Sequence, residues 1–444
     1  MDGAIVDREM GPMPPRATRH FPWPLRVGVL VDLALSPEAG GHVKCWERIA
    51  EAATQFADRL DLTVHFNTPV DAPGNVAAVR RIELSPSVRY VLMPSVFSTR
   101  RLISRVPDHT DLAPWHPGLA RALPDYDVIH TTDAFFCYSR TASRFARRNG
   151  VPLVSSFHTN TPEYARLTME SLLEYVLGRG VVYRVANERL ALPRRVGRVL
   201  ERRLHRHLAS ATMVMASYGG ALDATIGRHC GVALRRGLDR ARFTPAKRDR
   251  DWLETRFGLP PRQFVVMYAG KLNAGKNVHI LGTAVRQARE SGQSIHLLCA
   301  GVGDLSDALS AQLGPAVTLP GVLGQDELAR AYASADLFLF PSMIDEAGNA
   351  PMEALASGLP ALLARGSGVA TRMDDCAAVR VLPGDAPSLW AETIAEFAAN
   401  KEQCRALGRL ARAYIEAEVP SWAEVVSEDL LPVWQEAAAT RCEI

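Results

Sequence analysis

The sequence predicts an α/β protein with two doubly wound domains, each built on a parallel sheet. Short apolar runs rich in β-branched residues alternate with helical patterns in the first part of the chain, and a second alternation begins at residue 263. Such alternation is typical of parallel sheets that are covered by helices. A length of 444 residues suits two large domains or three small ones. The composition, 47% hydrophobic and 22% charged, excludes wholesale disorder, collagen and a coiled coil.

In the first half, strands are predicted over residues 26–32, 60–66, 124–130 and 151–157. A glycine-containing loop over 35–42 leads from the first strand into a helix over 43–56, whose apolar residues recur at a spacing near 3.6. We assign residues 25–240 to a first domain with its site at the carboxyl ends of the strands. Residues 1–24 contain five prolines and both charge signs but no apolar stretch of a signal peptide, so we predict a flexible tail.

In the second half, strands are predicted over residues 263–270, 293–301, 316–320, 335–341 and 361–364. These strands indicate a second α/β domain over 241–403. The polar, arginine-rich stretch over 235–247 is the predicted linker between the two domains. Residues 404–444 show the pattern of amphipathic helix and carry Trp422 and Trp434.

Charge and cysteine content narrow the classes of function and location. A net charge of +3 is too small to indicate a nucleic-acid partner. The seven cysteines are scattered and never spaced as Cys-x-x-Cys, which argues against a disulfide framework and a cysteine zinc site. No apolar run reaches the roughly 20 residues that span a bilayer. We therefore predict a cytoplasmic protein that at most lies on the inner face of a membrane.

One segment departs from the average composition. From Arg179 to His207 the chain holds nine arginines and only two acids. In its second half apolar residues recur at helical spacing, and the stripe continues just beyond it: Val196, Val199, Leu200, Leu204 and Leu208. A surface helix with a solvated basic face explains this pattern, and so does a basic amphipathic helix on an anionic membrane. RNA binding is less favoured, because no aromatic side chains that would stack on bases are interleaved with the arginines.

The densest chemical pattern lies over residues 340–360, FPSMIDEAGNAPMEALASGLP. A strand ends there, a loop carries Asp345 and Gly348, and a helix begins near Asn349. Free amides and the macrodipole at a helix N-terminus favour phosphate, and carboxylates accept hydrogen bonds from sugar or ribose hydroxyls. Asp345 and Glu353 are eight residues apart and can both face a ligand seated there. Taken alone, Glu353 would be explained as an acid that complements the dipole of its own helix.

This block resembles the acid-x7-acid signature of the retaining glycosyltransferases of family 4, which have the two-domain fold called GT-B. Asp345 stands where the family usually has glutamate. The resemblance implies that Glu353 holds the ribose of a nucleotide and that Asp345 contacts hydroxyls of the transferred sugar. The amides around Gly348, Asn349 and Ala350 would meet oxygens of the donor. It also implies that the C-terminal helices cross back to pack on the first domain.

A second string supports the same resemblance. Residues 270–276, GKLNAGK, resemble the family's G-(R/K)-L-x-x-x-K, which directly follows the first strand of the second domain. Lys271 and Lys276 would then face the charge that develops on a departing diphosphate. Gly303, in the GVGD turn after the next strand, resembles a turn near the donor base. A P-loop is not indicated, because Asn277 stands where that motif requires Ser or Thr for Mg²⁺.

In the first domain, the resemblance indicates Gly40 and Gly41 as the loop that approaches the donor diphosphate. It indicates His158, at the end of a predicted strand, as the histidine that meets the reacting sugar. The candidates for contacts with the acceptor are polar residues at or after strand ends: His130, Asp133, Thr159, Asn160 and Tyr164.

The resemblance implies a hexosyltransferase that moves a sugar from a nucleoside diphosphate, of the GDP-mannose or UDP-glucose/galactose type, to an acceptor hydroxyl with retention. His158, Lys271, Lys276 and Asp345 would be catalytic, with no essential metal and no cofactor. The basic segment favours a lipid or cell-envelope glycan as the acceptor. Two alternatives stay open: a nucleotide-sugar epimerase or hydrolase of the same fold, and a non-catalytic sugar-nucleotide-binding scaffold at a membrane. A dinucleotide-binding oxidoreductase is disfavoured, because no G-x-G-x-x-G opens the first helix.

Overall fold

The computed structural model describes residues 23–36, 39, 41–68, 79–97, 110–157, 191–216, 231–343 and 348–440. These ranges contain two sheets, one of eight strands and one of six, with helices packed against them. The predicted class of two doubly wound α/β domains is confirmed. The first sheet falls within residues 25–240 and the second within 241–403, whereas residues 1–22 of the predicted tail lie outside the described ranges.

The first sheet is parallel except at one edge. Its strands lie in the order β3-β4-β2-β1-β5-β6-β7-β8, and β3 runs antiparallel to β4. In chain order the strands are β1 (Leu25–Ala34), β2 (Leu60–Thr68), β3 (Arg80–Ser85), β4 (Val88–Pro94), β5 (Val128–Thr131), β6 (Leu153–Phe157), β7 (Met213–Ala216) and β8 (Gly231–Ala233). The helices are α1 (Gly41–Ala53), α2 (Pro117–Ala122), α3 (Cys137–Asn149) and α4 (Leu192–Leu208).

The chain changes direction across this sheet at β1, which pairs with β2 on one side and β5 on the other. Such a switch point opens a crevice at the carboxyl ends of the strands. Helix α1 begins after β1 at this crevice. The β1 strand is buried along nearly its whole length because it has neighbours on both sides and helices on both faces, which explains its continuous apolar run.

Four strands of the first sheet were not predicted, namely β3, β4, β7 and β8. Strand β3, with the sequence RRIELS, lies at the edge and is largely exposed, so it lacks an apolar signal. Strand β8 has only three residues, which is too short for a pattern to stand out. Strand β7 is a four-residue apolar run, as long as β12, and was missed.

The second sheet is entirely parallel, with the strand order β11-β10-β9-β12-β13-β14 and its own switch point between β9 and β12. Its strands are β9 (Phe264–Ala269), β10 (Ile295–Ala300), β11 (Val317–Gly321), β12 (Leu337–Phe340), β13 (Ala361–Ala364) and β14 (Val379–Leu382). The helices are α5 (Arg250–Phe257), α6 (His279–Glu290), α7 (Ser306–Leu313), α8 (Gln325–Ser334), α9 (Asn349–Ala356), α10 (Gly368–Arg372) and α11 (Pro387–Ala399). All of the predicted strands are present, and β14 is additional.

The C-terminal helices divide between the two domains. Helix α12 (Lys401–Glu418) buries Ala411 and Ile415 in the core of the second domain. Only after it does the chain cross back, through α13 (Trp422–Glu424), a π-helical stretch (Val425–Leu430) and α14 (Leu431–Thr440). The assignment of all residues from 404 onward to the first domain is therefore corrected, because the apolar face of α12 is complementary to the second domain.

The crossing segment is anchored in the first domain by apolar and polar contacts. Val425, Leu430 and Trp434 are completely buried in the first-domain core. The guanidinium of Arg235, just after β8, donates to Asp429 at 2.7 Å and to Glu428 at 2.6 Å. This segment therefore joins the two domains a second time, in addition to the linker.

Candidate active site between the domains

A cavity of about 110 Å³ lies between the two domains, and one helix of each domain provides a wall. From the first domain, α1 contributes Gly41, Lys44, Cys45 and Arg48. From the second domain, α9 contributes Asn349, Met352 and Glu353. The remaining lining residues come from the linker, from the start of α8 and from α13: Gly237, Leu238, Asp239, Phe243, Gln325 and Trp422.

The two walls approach each other closely at their N-terminal ends. A Cβ placed on Gly41 would lie 3.2 Å from the side-chain nitrogen of Asn349. These residues are the first of α1 and of α9, and neither helix carries an acid in its first turn. Two helix N-termini thus open into one cavity, which is a favourable arrangement for an anionic ligand.

The entry into α9 requires glycine. Gly348 precedes the helix in the left-handed conformation, with φ at +63°, and a Cβ there would lie 2.2 Å from a methyl carbon of Val369. A larger residue would displace the loop from α10, so Gly348 determines the position of the first turn of α9. Ala350 follows in that first turn. Asp345, the other acid of the predicted pair, lies outside the described residues.

Glu353 is one turn into α9, half-buried, and borders the cavity. Burial raises the pKa of this carboxyl to about 8, while the positive charges of Arg48 and Arg242 act in the opposite direction. The carboxyl therefore takes up a proton at a higher pH than an exposed glutamate does. An ionised Glu353 would be a strong hydrogen-bond acceptor in an enclosed site.

The two predicted lysines lie at the carboxyl edge of the second sheet, after β9. Lys271 is exposed and Lys276 is half-buried, at the end of a short 3₁₀ turn whose Asn273 side chain accepts a hydrogen bond from the Lys276 amide at 3.1 Å. The buried Asn277 donates to the carbonyls of Pro341 at 3.1 Å and Gly384 at 2.7 Å. These bonds hold residues 270–277, here called the lysine loop, beside the loop that leads from β12 to α9. Neither lysine is among the described residues that line the cavity.

Gly303 has a packing role that the sequence did not reveal. A Cβ on Gly303 would lie 2.1 Å from the carbonyl oxygen of Leu272. The amide of Leu272 donates to Val302 at 2.9 Å, and that of Leu305 donates to Leu272 at 3.0 Å. The glycine therefore allows the loop after β10 to pack on the lysine loop, whatever else it contacts.

His130, which was predicted to contact the acceptor substrate, lies buried in the first domain and does not line the cavity. It is completely buried beneath the crossing helix, where its Nδ1 accepts from the indole nitrogen of Trp434 at 2.9 Å and its Nε2 lies 2.8 Å from the Ser156 hydroxyl. Burial lowers the pKa of His130 to about 3, so the ring is neutral. The prediction that it lines an acceptor cleft is corrected: both ring nitrogens have partners in the core, and the residue joins α14 to the sheet.

Asp133 also has a local structural role. One of its oxygens accepts from the amides of Phe135 at 2.7 Å and Phe136 at 3.0 Å, in the turn that precedes α3. These bonds use Oδ1 of the carboxylate to hold the turn, so a contact of Asp133 with the acceptor stays a prediction. The other predicted first-domain residues, Gly40, His158, Thr159, Asn160 and Tyr164, lie outside the described residues.

The structure adds residues that the sequence analysis missed. Lys44 and Arg48 lie on the cavity face of α1, at positions three and seven after Gly41, and this helical spacing after the glycine loop was the available signal. Trp422 had no such signal, because it reaches the cavity only through the crossing of the C-terminal segment. The linker also lines the cavity, and its Leu238 amide donates to the Pro420 carbonyl at 2.9 Å.

Comparisons with known proteins show a likeness between the second-domain part of this site and a known family. The family described as "Glycosyl transferases group 1" matches residues 263–400, which contain α9 and the lysine loop. The D-inositol 3-phosphate glycosyltransferase 1 of Catenulispora acidiphila is 28% identical over 334 residues, which cover 72% of this chain and 74% of the relative.

Among solved structures, the sucrose-phosphate synthase of Thermosynechococcus elongatus superposes with a TM-score of 0.65 at 16% identity, covering 94% of this chain and 100% of the other. Anabaena Alr3699/HepE, solved with UDP and glucose, gives a TM-score of 0.63 at 16% identity, covering 95% and 100%. These likenesses show the fold of two facing Rossmann-like domains. The prediction of a glycosyltransferase enzyme is confirmed by the family match and by the named relative. The chain therefore has the GT-B fold, and its residues 263–400 match a group 1 glycosyltransferase domain.

Proposed function

We propose that this enzyme transfers a hexose from a nucleoside-diphosphate sugar to an acceptor hydroxyl, with retention of configuration. The observation that carries the proposal is the cavity where the N-termini of α1 and α9 meet, with Glu353 at its border. The site combines amides suited to a diphosphate with a carboxylate suited to ribose hydroxyls. A structural neighbour that binds UDP and glucose supports a donor of this class.

In the proposed reaction, Glu353 accepts hydrogen bonds from the ribose and holds the donor in the cleft. Lys271 and Lys276 neutralise the diphosphate as it departs, and they do so most strongly in the transition state. His158 and Asp345 position the transferred sugar. The acceptor attacks the same face of the sugar that the diphosphate leaves, and the leaving phosphate takes up the acceptor proton. This scheme uses no protein nucleophile, no cofactor and no essential metal.

The proposed acceptor is a lipid or a cell-envelope glycan at the inner face of a membrane. The described part of the basic segment is α4, on which Arg195, Arg198, Arg202, Arg203 and Arg206 are all exposed. Leu204 and Leu208 are buried against the first domain together with Phe157 and Val214. Leu204 and Leu208 therefore do not face the membrane, and the contact we propose is made by the exposed arginines together with Val199, which is 46% exposed. None of the helices in the described ranges combines the length and apolar character needed to cross a bilayer.

A panel of nucleotide sugars tests both which donor the enzyme uses and whether it requires an acceptor. We expect one of them to raise the melting temperature and to release UDP or GDP only when a membrane extract is present, with or without EDTA. Loss of release in EDTA would contradict the metal-independent scheme. Release without any acceptor would favour the epimerase or hydrolase alternative, and binding without turnover under every condition would favour the scaffold.

Membrane contact is tested by flotation with vesicles of phosphatidylcholine and phosphatidylglycerol at low salt. We expect the protein to float with anionic vesicles and not with pure phosphatidylcholine, because each basic residue near an anionic surface contributes about 1 kcal/mol. The triple change Arg198→Gln, Arg202→Gln and Arg206→Gln would then lower partitioning by about 100-fold. Absence of flotation by the unaltered protein at low salt would refute the membrane-bound acceptor as we describe it.

A further inference from the structure

The walls of the cavity are two helix faces of complementary charge. Residues 41, 44, 45 and 48 form one face of α1, and residues 349, 352 and 353 form the opposing face of α9. The first-domain face carries the cations Lys44 and Arg48, whereas the second-domain face carries Glu353. Because the faces belong to different domains, their interaction depends on how the two domains are placed.

The elements packed around Glu353 differ in the charges that they bring near its carboxyl. The linker supplies Asp239 and Arg242, whose side chains pair with each other at 3.5 Å. It also supplies the buried Arg236, which hydrogen-bonds to Cys45 of α1. Helix α8 supplies the buried hydroxyl of Tyr332, which is neutral because burial raises its pKa well above the usual range. On α12, Arg412 donates to the carbonyl of Ala356 at the far end of α9, at 2.9 Å. Strands β12 and β13, beneath α9, are apolar and fully buried.

Two cations favour the ionised form of Glu353, Arg48 and Arg242, and Arg48 has the larger effect. Arg242 belongs to the linker and also pairs with Asp326 of α8 at 3.4 Å. Of these two cations, Arg48 belongs to the first domain. It is held at the cavity by an ion pair of 2.7 Å with Glu51, one turn further along α1.

We propose that Arg48 is a positioning residue for Glu353: it holds the carboxylate ionised and ready for the donor when the first domain lies against the second. The donor-binding group of one domain is thus completed by a cation of the other. This inference rests on the proposed function, because it takes Glu353 as the group that binds the nucleotide. Its consequence is that nucleotide affinity depends on a residue that need not contact the nucleotide.

The test measures how binding depends on pH, by isothermal titration calorimetry between pH 6.5 and 10 with whichever of UDP and GDP binds the unaltered enzyme. Arg48→Met is expected to shift the titration of Glu353 upward by about one pH unit, as the loss of a nearby cation does. The variant should then bind about tenfold more weakly than the unaltered enzyme at pH 7, about twofold more weakly at pH 9, and equally at pH 10. Ionisation of the nucleotide itself cancels in this ratio.

Three further variants serve as controls. Arg48→Lys keeps the charge and should restore most of the affinity at pH 7. Lys44→Met removes a cation from the same helix face, one that pairs with Glu47 at 2.8 Å, and any loss it causes should be the same at every pH. Glu51→Gln removes the acid that competes for Arg48, and its affinity at pH 7 should be equal to or higher than that of the unaltered enzyme.

The outcomes separate the inference from the proposed function. If neither UDP nor GDP binds the unaltered enzyme, the proposed function is refuted and the inference with it. If a nucleotide binds and Glu353→Gln weakens binding, but Arg48→Met changes affinity by the same factor at every pH or not at all, only the inference is overturned. A loss with Arg48→Met that grows as the pH falls, and that Arg48→Lys reverses, supports it.

Discussion

Replacing Glu353 with glutamine is expected to lower kcat/KM for the nucleotide sugar by at least about tenfold at pH 9. A hydrogen bond to a charged group contributes about 1.5–3 kcal/mol, and the neutral amide keeps the shape of the side chain but loses the charge. Glu353→Ala should cost at least as much. Steady-state kinetics with the donor identified by the nucleotide-sugar panel provides the measurement.

The pH dependence of the same reaction gives an independent readout. Since burial raises the pKa of Glu353 to about 8, and the ionised form is the one that accepts hydrogen bonds, kcat/KM of the unaltered enzyme should fall as the pH falls through about 8. Glu353→Gln should remove this acid limb and leave a flatter profile. Glu392→Gln, at an exposed position of α11, is the matched control and should retain the profile. Normal activity of Glu353→Gln at every pH would mean that the donor binds elsewhere.

The second large effect is expected for Lys276→Ala, which should lower kcat by at least about tenfold. The cation acts on charge that develops as the diphosphate departs, so its removal affects the transition state more than the bound donor. Consequently, kcat should fall more than KM rises. Lys276→Arg should retain part of the activity, because it preserves the charge while changing the geometry.

Lys401→Ala is the matched control for this variant. Lys401 donates to the carbonyl of Arg262 at 3.1 Å, just before β9, and so lies at the amino end of the same sheet, opposite the site. Its removal should leave kcat unchanged. A normal kcat for Lys276→Ala, or an effect confined to KM, would contradict the role in leaving-group stabilisation.

The strand–loop–helix units could be predicted because their signals are local. Strands β1, β9, β10, β12 and β13 are buried on both faces and show continuous apolar runs. The edge strand β3 and the three-residue β8 lack such runs, and their pairing partners decide that they are strands at all. Helix α12 shows the same limit, because an apolar stripe indicates that a face is buried without indicating against which domain.

The candidate site residues also differ in whether local sequence patterns could predict their positions. Gly348, Asn349 and Glu353 lie within six residues, so their spacing alone places them at the start of one helix. His130 follows a strand as an active-site histidine would, but the indole of Trp434, 304 positions away, takes its Nδ1 and seals it in the core. No local sequence pattern distinguishes a strand-end histidine that lines an active site from one that is buried in the core.

By itself, the sequence determined the two α/β domains, the helix start with its acid, and the family to which these motifs point. Those properties depend on residues within one or two turns of each other. Only the tertiary structure decided that the face of α1 with Arg48 lies opposite the face of α9 with Glu353, and that Trp422 closes the cavity beside them. Contacts between residues more than 300 positions apart depend on how two cores and a crossing helix pack, and that packing is a property of the whole chain.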